Sequence, residues 1–556
     1  MTTPCYFSFK PLRCWAVSFG LLALLLPGLS QAQQAGAPTV LRDRRAGGSA
    51  EEYLSATIAT ADGGYLLAGY SFSGATGDKT QPSQGVDDFW VVKYDAAGTR
   101  QWDRRFGGDQ SDRLFTAIQT ADGGYLLGGE ATSDGTGDMS QRSQGYGDFW
   151  VVKLDAAGAK LWDRRYGGQE EDVLTAAVQT TDGGYLLAGS TRSSGTGDVS
   201  QLSQGVGDGW AVKIDATGVK QWDRRFGGTS EDVFTNLLQT TDGGYLLGGW
   251  TTSGPSGNVS QPSRGSADYW IVKTDAAGTR LWDRRFGSNY EDVLATMVQT
   301  ADGGFLLGGT STSDAGGDKT QPSHGTGNTG RNDYWLVKTD DAGTKVWDRR
   351  YGGGNDDFLN SVCPAPNGGY LLAGTSRSGA EDDKTQPSQG LDDYWLVRIN
   401  GNGTQLWDQR LGGLDDDTDA HVVGFTGGGF LVAGTSNSGV SGNKTQPSQG
   451  LHDYWAVRLG AEPLATTAPQ GSPAVAVYPN PAHATCMVAL PGRGTGAATA
   501  TLSLLDLVGR EVQRQSPVLG TAPSTALLPL HNLAAGMYLL RVELAGETTT
   551  RRLEVK

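Results

Sequence analysis

Tryptophan recurs along this chain at almost fixed spacing, and no other feature limits the possible folds so tightly. Trp90, Trp150, Trp210, Trp270, Trp335, Trp395 and Trp455 each follow Asp-Phe/Tyr or a close variant, at intervals of 60, 60, 60, 65, 60 and 60 residues. A second series, Trp102, Trp162, Trp222, Trp282, Trp347 and Trp407, trails the first by twelve. The run Asp62-Gly63-Gly64-Tyr65-Leu66-Leu67 recurs at Asp122, Asp182, Asp242 and Asp302, then with changes at Asn367 and Gly427. One unit is therefore present seven times. A period of this size marks a stacked or ring-shaped array.

Each unit reads as four strands. In the second copy these are Leu114–Thr120, Tyr125–Thr132, Asp148–Asp155 and Lys160–Tyr166. Asp122-Gly123 is read as a two-residue hairpin turn, where glycine accepts positive φ. A long polar loop separates the second and third strands, and Asp155-Ala156-Ala157-Gly158 closes a second hairpin. The chain holds 84 glycines in 556 residues, which excludes a helix-rich protein. They follow no Gly-X-Y period, so collagen is excluded too.

The last copy stops after Trp455-Ala456-Val457-Arg458 and lacks a fourth strand. Leu41-Arg42-Asp43-Arg44-Arg45-Ala46-Gly47-Gly48 matches Leu161–Gly168 and supplies it from the front. The expected fold is all-β: a seven-bladed β-propeller over residues 37–461, closed by an N-terminal strand, followed by a small C-terminal β-sandwich. The Gly-Gly turns, the Asp-Gly-Gly-Tyr turns and Asp-Phe-Trp-Val-Val-Lys-x-Asp-x-x-Gly resemble the propeller repeats of bacterial secreted proteins. That resemblance covers roughly Val40 to Leu459.

The two ends read as address labels. Lys10 and Arg13 precede an apolar stretch from Trp15 to Leu26, and Ser30-Gln31-Ala32 offers a small-residue cleavage site before Gln33. Residues 1–32 are thus expected to be a secretory signal peptide, cut between Ala32 and Gln33. Residues 462–473 read as a linker. Residues 474–556 resemble the type A sorting domain of the type IX secretion system. The matching residues are Tyr478-Pro479-Asn480-Pro481, the stretch Leu504 to Val512, Gly536-Met537-Tyr538 and the terminal Lys556. Strand-like runs there are Leu502–Val512, Met537–Leu544 and Arg551–Lys556. The resemblance implies the type IX machinery as a partner and delivery across the outer membrane of a Bacteroidetes-type bacterium, to the cell surface or the medium.

Lys10 and Arg13 are the only charges before Gln33, and residues 474–556 carry seven basic and five acidic residues. With Glu462 alone charged in the linker and −15 overall, residues 33–461 carry −18. Such a body does not seek nucleic acid or an anionic membrane through net charge. Past the signal only Cys363 and Cys486 remain, so there is no disulfide framework and no structural zinc site. No mature segment is long and apolar enough to span a bilayer as a helix. A monomer is expected.

Residues repeated in every unit are expected to build turns, caps and ion pairs. Glu52, Asp112, Asp172, Asp232, Asp292, Asp357 and Asp417 begin the first strands and are candidates for a carboxylate ring at the channel mouth. Calcium is the cation such oxygen ligands suit; the alternative is that each caps its own Gly-Gly turn or pairs with an arginine. Departures from the repeat are better binding candidates. Trp250 replaces Tyr70, Glu130, Ser190 and their equivalents and is a candidate sugar platform, and His324 and Arg331 lie in the loop that carries five extra residues. No catalytic constellation is evident. The expected function is a secreted or surface module that binds a glycan or a protein without catalysis. The alternatives are a polysaccharide hydrolase or lyase and a structural protein without a ligand.

Overall fold

The computed structural model describes residues 36–324, 331–463, 475–490, 498–506, 510–519, 524–531, 533–544 and 547–556. The signal segment, its cleavage site at Ala32 and Gln33, and linker residues 464–473 lie outside the described residues. Among those described, the regular structure is all strand. No helix there is long and apolar enough to cross a membrane.

Seven four-stranded antiparallel sheets follow one another along the described repeat region. In the second sheet the strands are Asp112–Gln119, Tyr125–Ala131, Asp148–Leu154 and Lys160–Tyr166, in sequential order. The first hairpin differs slightly from expectation. Gly123 N donates to Thr120 O and Thr120 N to Gly124 O, so the loop holds three residues, with Gly123 at φ +80°. A type I turn closed by a left-handed glycine fits the right-handed twist of the strands.

The seventh sheet takes its fourth strand from the other end of the repeat region. Val40–Ala46 pairs antiparallel with Asp453–Leu459, with Arg45 opposite Trp455. Asp43 Oδ2 accepts the Trp455 indole N–H at 3.0 Å, as Asp163 accepts that of Trp150 at 3.2 Å in its own sheet.

Third strands such as Asp148–Leu154 are buried along their whole length. They are covered on both faces, hence the near-continuous apolar run. The seven tryptophans of the first series are fully buried. Most pack on an aromatic ring of the preceding sheet, as Trp150 does on Phe89 at 4.8 Å. Trp90 packs on Tyr454 of the seventh sheet at 5.0 Å, and Tyr454 donates its hydroxyl to Trp90 O. Gly209 leaves Trp270 without such a partner, and Phe234 of the fourth sheet moves in to stack on it at 5.5 Å.

In the C-terminal region Ala476–Tyr478, Thr485–Leu490 and Ser524–Pro529 form one sheet. Ala498–Leu505, Glu511–Gln515, Gly536–Leu544 and Glu547–Val555 belong to a second. Val488, Leu502, Leu540 and Leu553 join both in one core. The single strand expected over Leu502–Val512 is two: the chain reverses after Leu505, where Asp506 N donates to Arg510 O and Asp506 Oδ1 accepts from Arg510 N. The Asn480 side chain donates to Arg552 O and accepts from Glu554 N, tying Tyr478-Pro479-Asn480-Pro481 to the final strand. Tyr538 donates to Ala534 O, and Lys556 N to Ala482 O.

Candidate functional site

The seven first-strand carboxylates, Glu52 to Asp417, are fully buried. Each is bonded to the turn just before it. Asp172 Oδ2 accepts from Gly168 N at 2.7 Å and from Ser193 Oγ at 2.9 Å; Glu52 Oε2 accepts from Gly48 N at 2.7 Å. Burial pushes Asp172, Asp357 and Asp417 up to about 6 against these bonds. Among the described residues no three His, Cys, Asp or Glu side chains converge as a metal's ligand set would require.

A second repeated carboxylate opens each third strand. Asp148 Oδ2 accepts from Gln144 N at 2.9 Å and from Arg165 Nε at 3.0 Å, while Oδ1 lies against Gly167. A Cβ on Gly167 would overlap that oxygen, so this glycine is required by space and not by its φ.

The repeated arginine takes one of two poses, set by one loop residue. Where that residue is Met139, Val199 or Val259, the arginine turns inward. Arg165 donates to Ser133 O and Ala131 O, Arg225 to Ser193 O and Thr191 O, and Arg285 to Ser253 O and Thr251 O. Where it is lysine, the ammonium takes that space. Lys79 Nζ reaches Ser73 O at 2.8 Å, and Lys319 and Lys384 do the same in their sheets; Lys444 bonds Ser436 and Ser448. The arginine then bonds elsewhere, Arg105 to Asp138 and Arg410 to Gln389. Burial lowers all four lysines to about 8.

The off-pattern candidates stand apart. Trp250 is partly exposed on the second strand of the fourth sheet, in register between Val233 and Tyr269. His324 is partly buried, its Nδ1 3.8 Å from Asp333 and its Nε2 3.6 Å from Asp382; burial, and then Arg350, lower its pKa. Arg331 is exposed, and residues 325–330 before it lie outside the described residues. Among the described residues no bond or ring contact joins these three.

A different set of departures does converge, on the end of the sheets that carries the long loops. His452 stacks on Tyr53 at 5.3 Å, Tyr53 on Tyr70 at 5.3 Å, and the Arg113 guanidinium lies 5.5 Å from the Tyr70 ring centre. The stack crosses from the seventh sheet to the second. Phe72 meets both tyrosines edge-on. Arg113 is held by Asp87 at 2.6 Å, and Tyr53 donates to Glu51. Burial, the neighbouring Glu171 and other nearby acids, set against Arg113, push Glu130 beside this stack up to about 7.

Asp419 completes the set. Its position in the repeat belongs to a core apolar residue: Leu54, Leu114, Leu174, Phe234, Leu294 or Leu359. Here Ala420 takes the buried place. The pairing jumps from Thr418↔Thr435 to His421↔Ala433, and Asp419 is exposed at φ +58°. Protein atoms packed around its carboxyl displace water from it, and this desolvation, with Asp392 nearby and against the bond from Thr418, raises its pKa. Its charge is felt at Tyr53 and Tyr70. This set was open to discovery by aligning the seven units position by position. A groove of about 450 Å³ on the same end is lined by Gln169, Glu170, Arg192, Ser194, Thr196 and Val206; there Arg192 bonds Glu231 at 2.6 Å.

Two curated proteins resemble the chain. The regulatory protein FlaEY of Caulobacter vibrioides is 26% identical over 400 residues, which are 65% of this chain. The match spans only 40% of FlaEY's own length. A myxobacterial hemagglutinin from Myxococcus xanthus is 24% identical over 237 residues, 36% of this chain and 84% of that protein. Among solved structures, the Neurospora crassa Pan2 WD40 domain is similar with a TM-score of 0.41 and 11% identity, covering 78% of this chain and 99% of that one. Residues 476–556 match the family model of the secretion system C-terminal sorting domain. That domain indicates delivery by type IX secretion to the cell surface or outside the cell.

Proposed function

We propose that this is a non-enzymatic secreted protein in which residues 37–461 form a closed seven-bladed β-propeller that binds an extracellular glycan or protein on its long-loop end. In this reading residues 1–32 are the signal peptide, 462–473 the linker and 474–556 the sorting domain. Pairing of Val40–Ala46 with the seventh sheet and the Trp90–Tyr454 contact support closure. The observation that carries the binding role is local. Seven near-identical units depart from their pattern together at Tyr53, Tyr70, Arg113, Asp419 and His452, all at one end of adjoining sheets. Backbone held in a sparsely populated region is a mark of functional sites. The similarity to a protein named as a hemagglutinin agrees with this reading.

A glycan array and a surface-protein pulldown with the secreted protein, run with calcium and with chelator, test it. Binding of a glycan or protein that weakens in Tyr70→Ala is the expected result. Release of shortened glycan products is the mark of a hydrolase or lyase. No ligand in either assay leaves the structural reading.

A further inference from the structure

The ligand's chemistry follows from what the long-loop patch leaves unpaired, an inference that rests on the binding role above. The ring faces of Tyr53, Tyr70 and His452 are stacked on one another, with Arg113 against Tyr70, so they offer little platform to a sugar. Of the carboxylates around them, Asp87, Glu171 and Asp392 are paired with Arg113, Arg192 and Arg377, whereas Asp419, Asp416 and Glu51 carry no ion pair among the described residues. Asp419 accepts from Thr418 Oγ1 and Glu51 from Tyr53. Exposed apolar side chains flank the acids: Leu451 beside His452 is 64% exposed, and Val86 beside Asp87 is 58% exposed. Leu451 N is bonded to Ala50 O, next to Glu51, which fixes this apolar residue over the acidic turn.

We propose that this patch docks a cationic segment of a partner protein. Lys or Arg side chains of the segment meet Asp419, Asp416 and Glu51, and its apolar side chains cover Leu451 and Val86. Charge complementarity selects the occupant. A second copy of this acidic chain would set carboxylate against carboxylate, and an anionic glycan would meet the same repulsion. Desolvated carboxylates beside apolar surface favour charge-assisted bonds from guanidinium or ammonium groups.

The test uses the full secreted chain and a fluorescein-labelled peptide amide of alternating Leu and Arg, with Leu-Glu and Leu-Asn peptides beside it, read by anisotropy. Asp419→Asn is the informative variant, because asparagine tolerates left-handed φ and keeps the bulge while removing the charge. Asp341→Asn makes the same charge change on an exposed hairpin at the opposite end of the fifth sheet. The expected result is binding of the Leu-Arg peptide alone, weakened about 10-fold by Asp419→Asn and less than about 2-fold by Asp341→Asn, the size of one charge-assisted bond. Equal loss in both variants, or equal binding of all three peptides, overturns the proposal. So does a wild-type chain that ignores the Leu-Arg peptide. If that chain still binds on the glycan array, the wider binding role stands; if it binds nothing in any assay, both fall.

Discussion

Glu462, three residues beyond the last strand of the seventh sheet, accepts a 2.6 Å bond from Arg398 Nε in the sixth. It also accepts from the Trp407 indole and from Asn367. In the first five sheets the corresponding pair is internal, a lysine with the aspartate of its own first hairpin, as in Lys93–Asp62 at 2.8 Å and Lys153–Asp122 at 2.8 Å. The sixth sheet carries Asn367 and Arg398 at those positions, and the departing chain brings back the missing carboxylate. Glu462→Ala is expected to cost about 3 kcal/mol, because it strands a buried guanidinium. Adding Asn367→Asp with Arg398→Lys restores the internal pair and recovers most of the loss, as read from urea midpoints.

Removing Ala37–Gly48 takes away the fourth strand of the seventh sheet and leaves Trp455 Nε1 without Asp43. The melting temperature is expected to fall by several degrees or more, since a buried donor without a partner alone costs about 1–3 kcal/mol. Unchanged unfolding by tryptophan fluorescence contradicts the closed ring.

The two arginine poses predict a specific non-additivity. In Lys384→Met, Arg410 is free to turn inward as Arg165 does beside Met139, so the expected cost stays below about 1.5 kcal/mol. Lys384→Met combined with Arg410→Ala leaves the sixth sheet's loop carbonyls bare. It should cost more than the sum of the single changes, in a double-mutant cycle by chemical denaturation.

Stability should rise as the pH falls from 7.5 to about 5. Burial holds Asp88, Asp172, Asp357 and Asp417 at about 6 in the folded chain, above their unfolded value. Groups of this kind favour the folded state fully below the unfolded pKa, and the advantage is lost as the pH rises through the folded one. Asp62, Asp122 and Asp182 work the other way. Partial burial opposes it, but bonds from the paired lysine and a threonine hold them at about 2, so their contribution is lost as the pH falls from near 4 to 2. Melting temperatures across pH 3 to 8 should peak between about 4 and 5; a maximum above pH 7 contradicts this assignment.

A chain ending at Pro473 lacks the segment that matches the sorting domain. It is expected to accumulate in the periplasm, and cell fractionation with immunoblotting reads this directly. Normal delivery to the surface contradicts the sorting role.

The strand boundaries were largely legible because the turns carry their own chemistry. Lys160–Tyr166 runs as expected, and the first and third strands shift by at most two residues. The break within Leu502–Val512 does carry a turn signal, Asp506-Leu507-Val508-Gly509, with the Asp-x-x-Gly spacing of Asp155 to Gly158, but the apolar residues on both sides of Asp506 read as one continuous run; in the fold Arg510 N bonds Asp506 Oδ1 across the reversal. Trp250 stood out as a rare residue type, whereas Asp419 hid among the other acids of Asp415-Asp416-Asp417-Thr418-Asp419. Only alignment of the units shows that it occupies a core position.

The sequence by itself determined the repeating sheet, its turns, the strand that completes the seventh copy and the sorting segment, since the turns are local chemistry and the rest shows as text repeated from unit to unit or as a motif. Tertiary structure decided what the charged groups do. The carboxylates of Glu52 and its six equivalents became buried turn caps, Arg165 and Arg105 took opposite poses, and Asp419 was pushed to the surface beside Tyr53 and His452. The physical reason is that burial and partners set the state of a charge. Here those partners come from turns and loops folded back from 4 to 34 residues away, as Gly48 does for Glu52 and Ala131 for Arg165, or from the far end of the repeat region, as Asp43 does for Trp455.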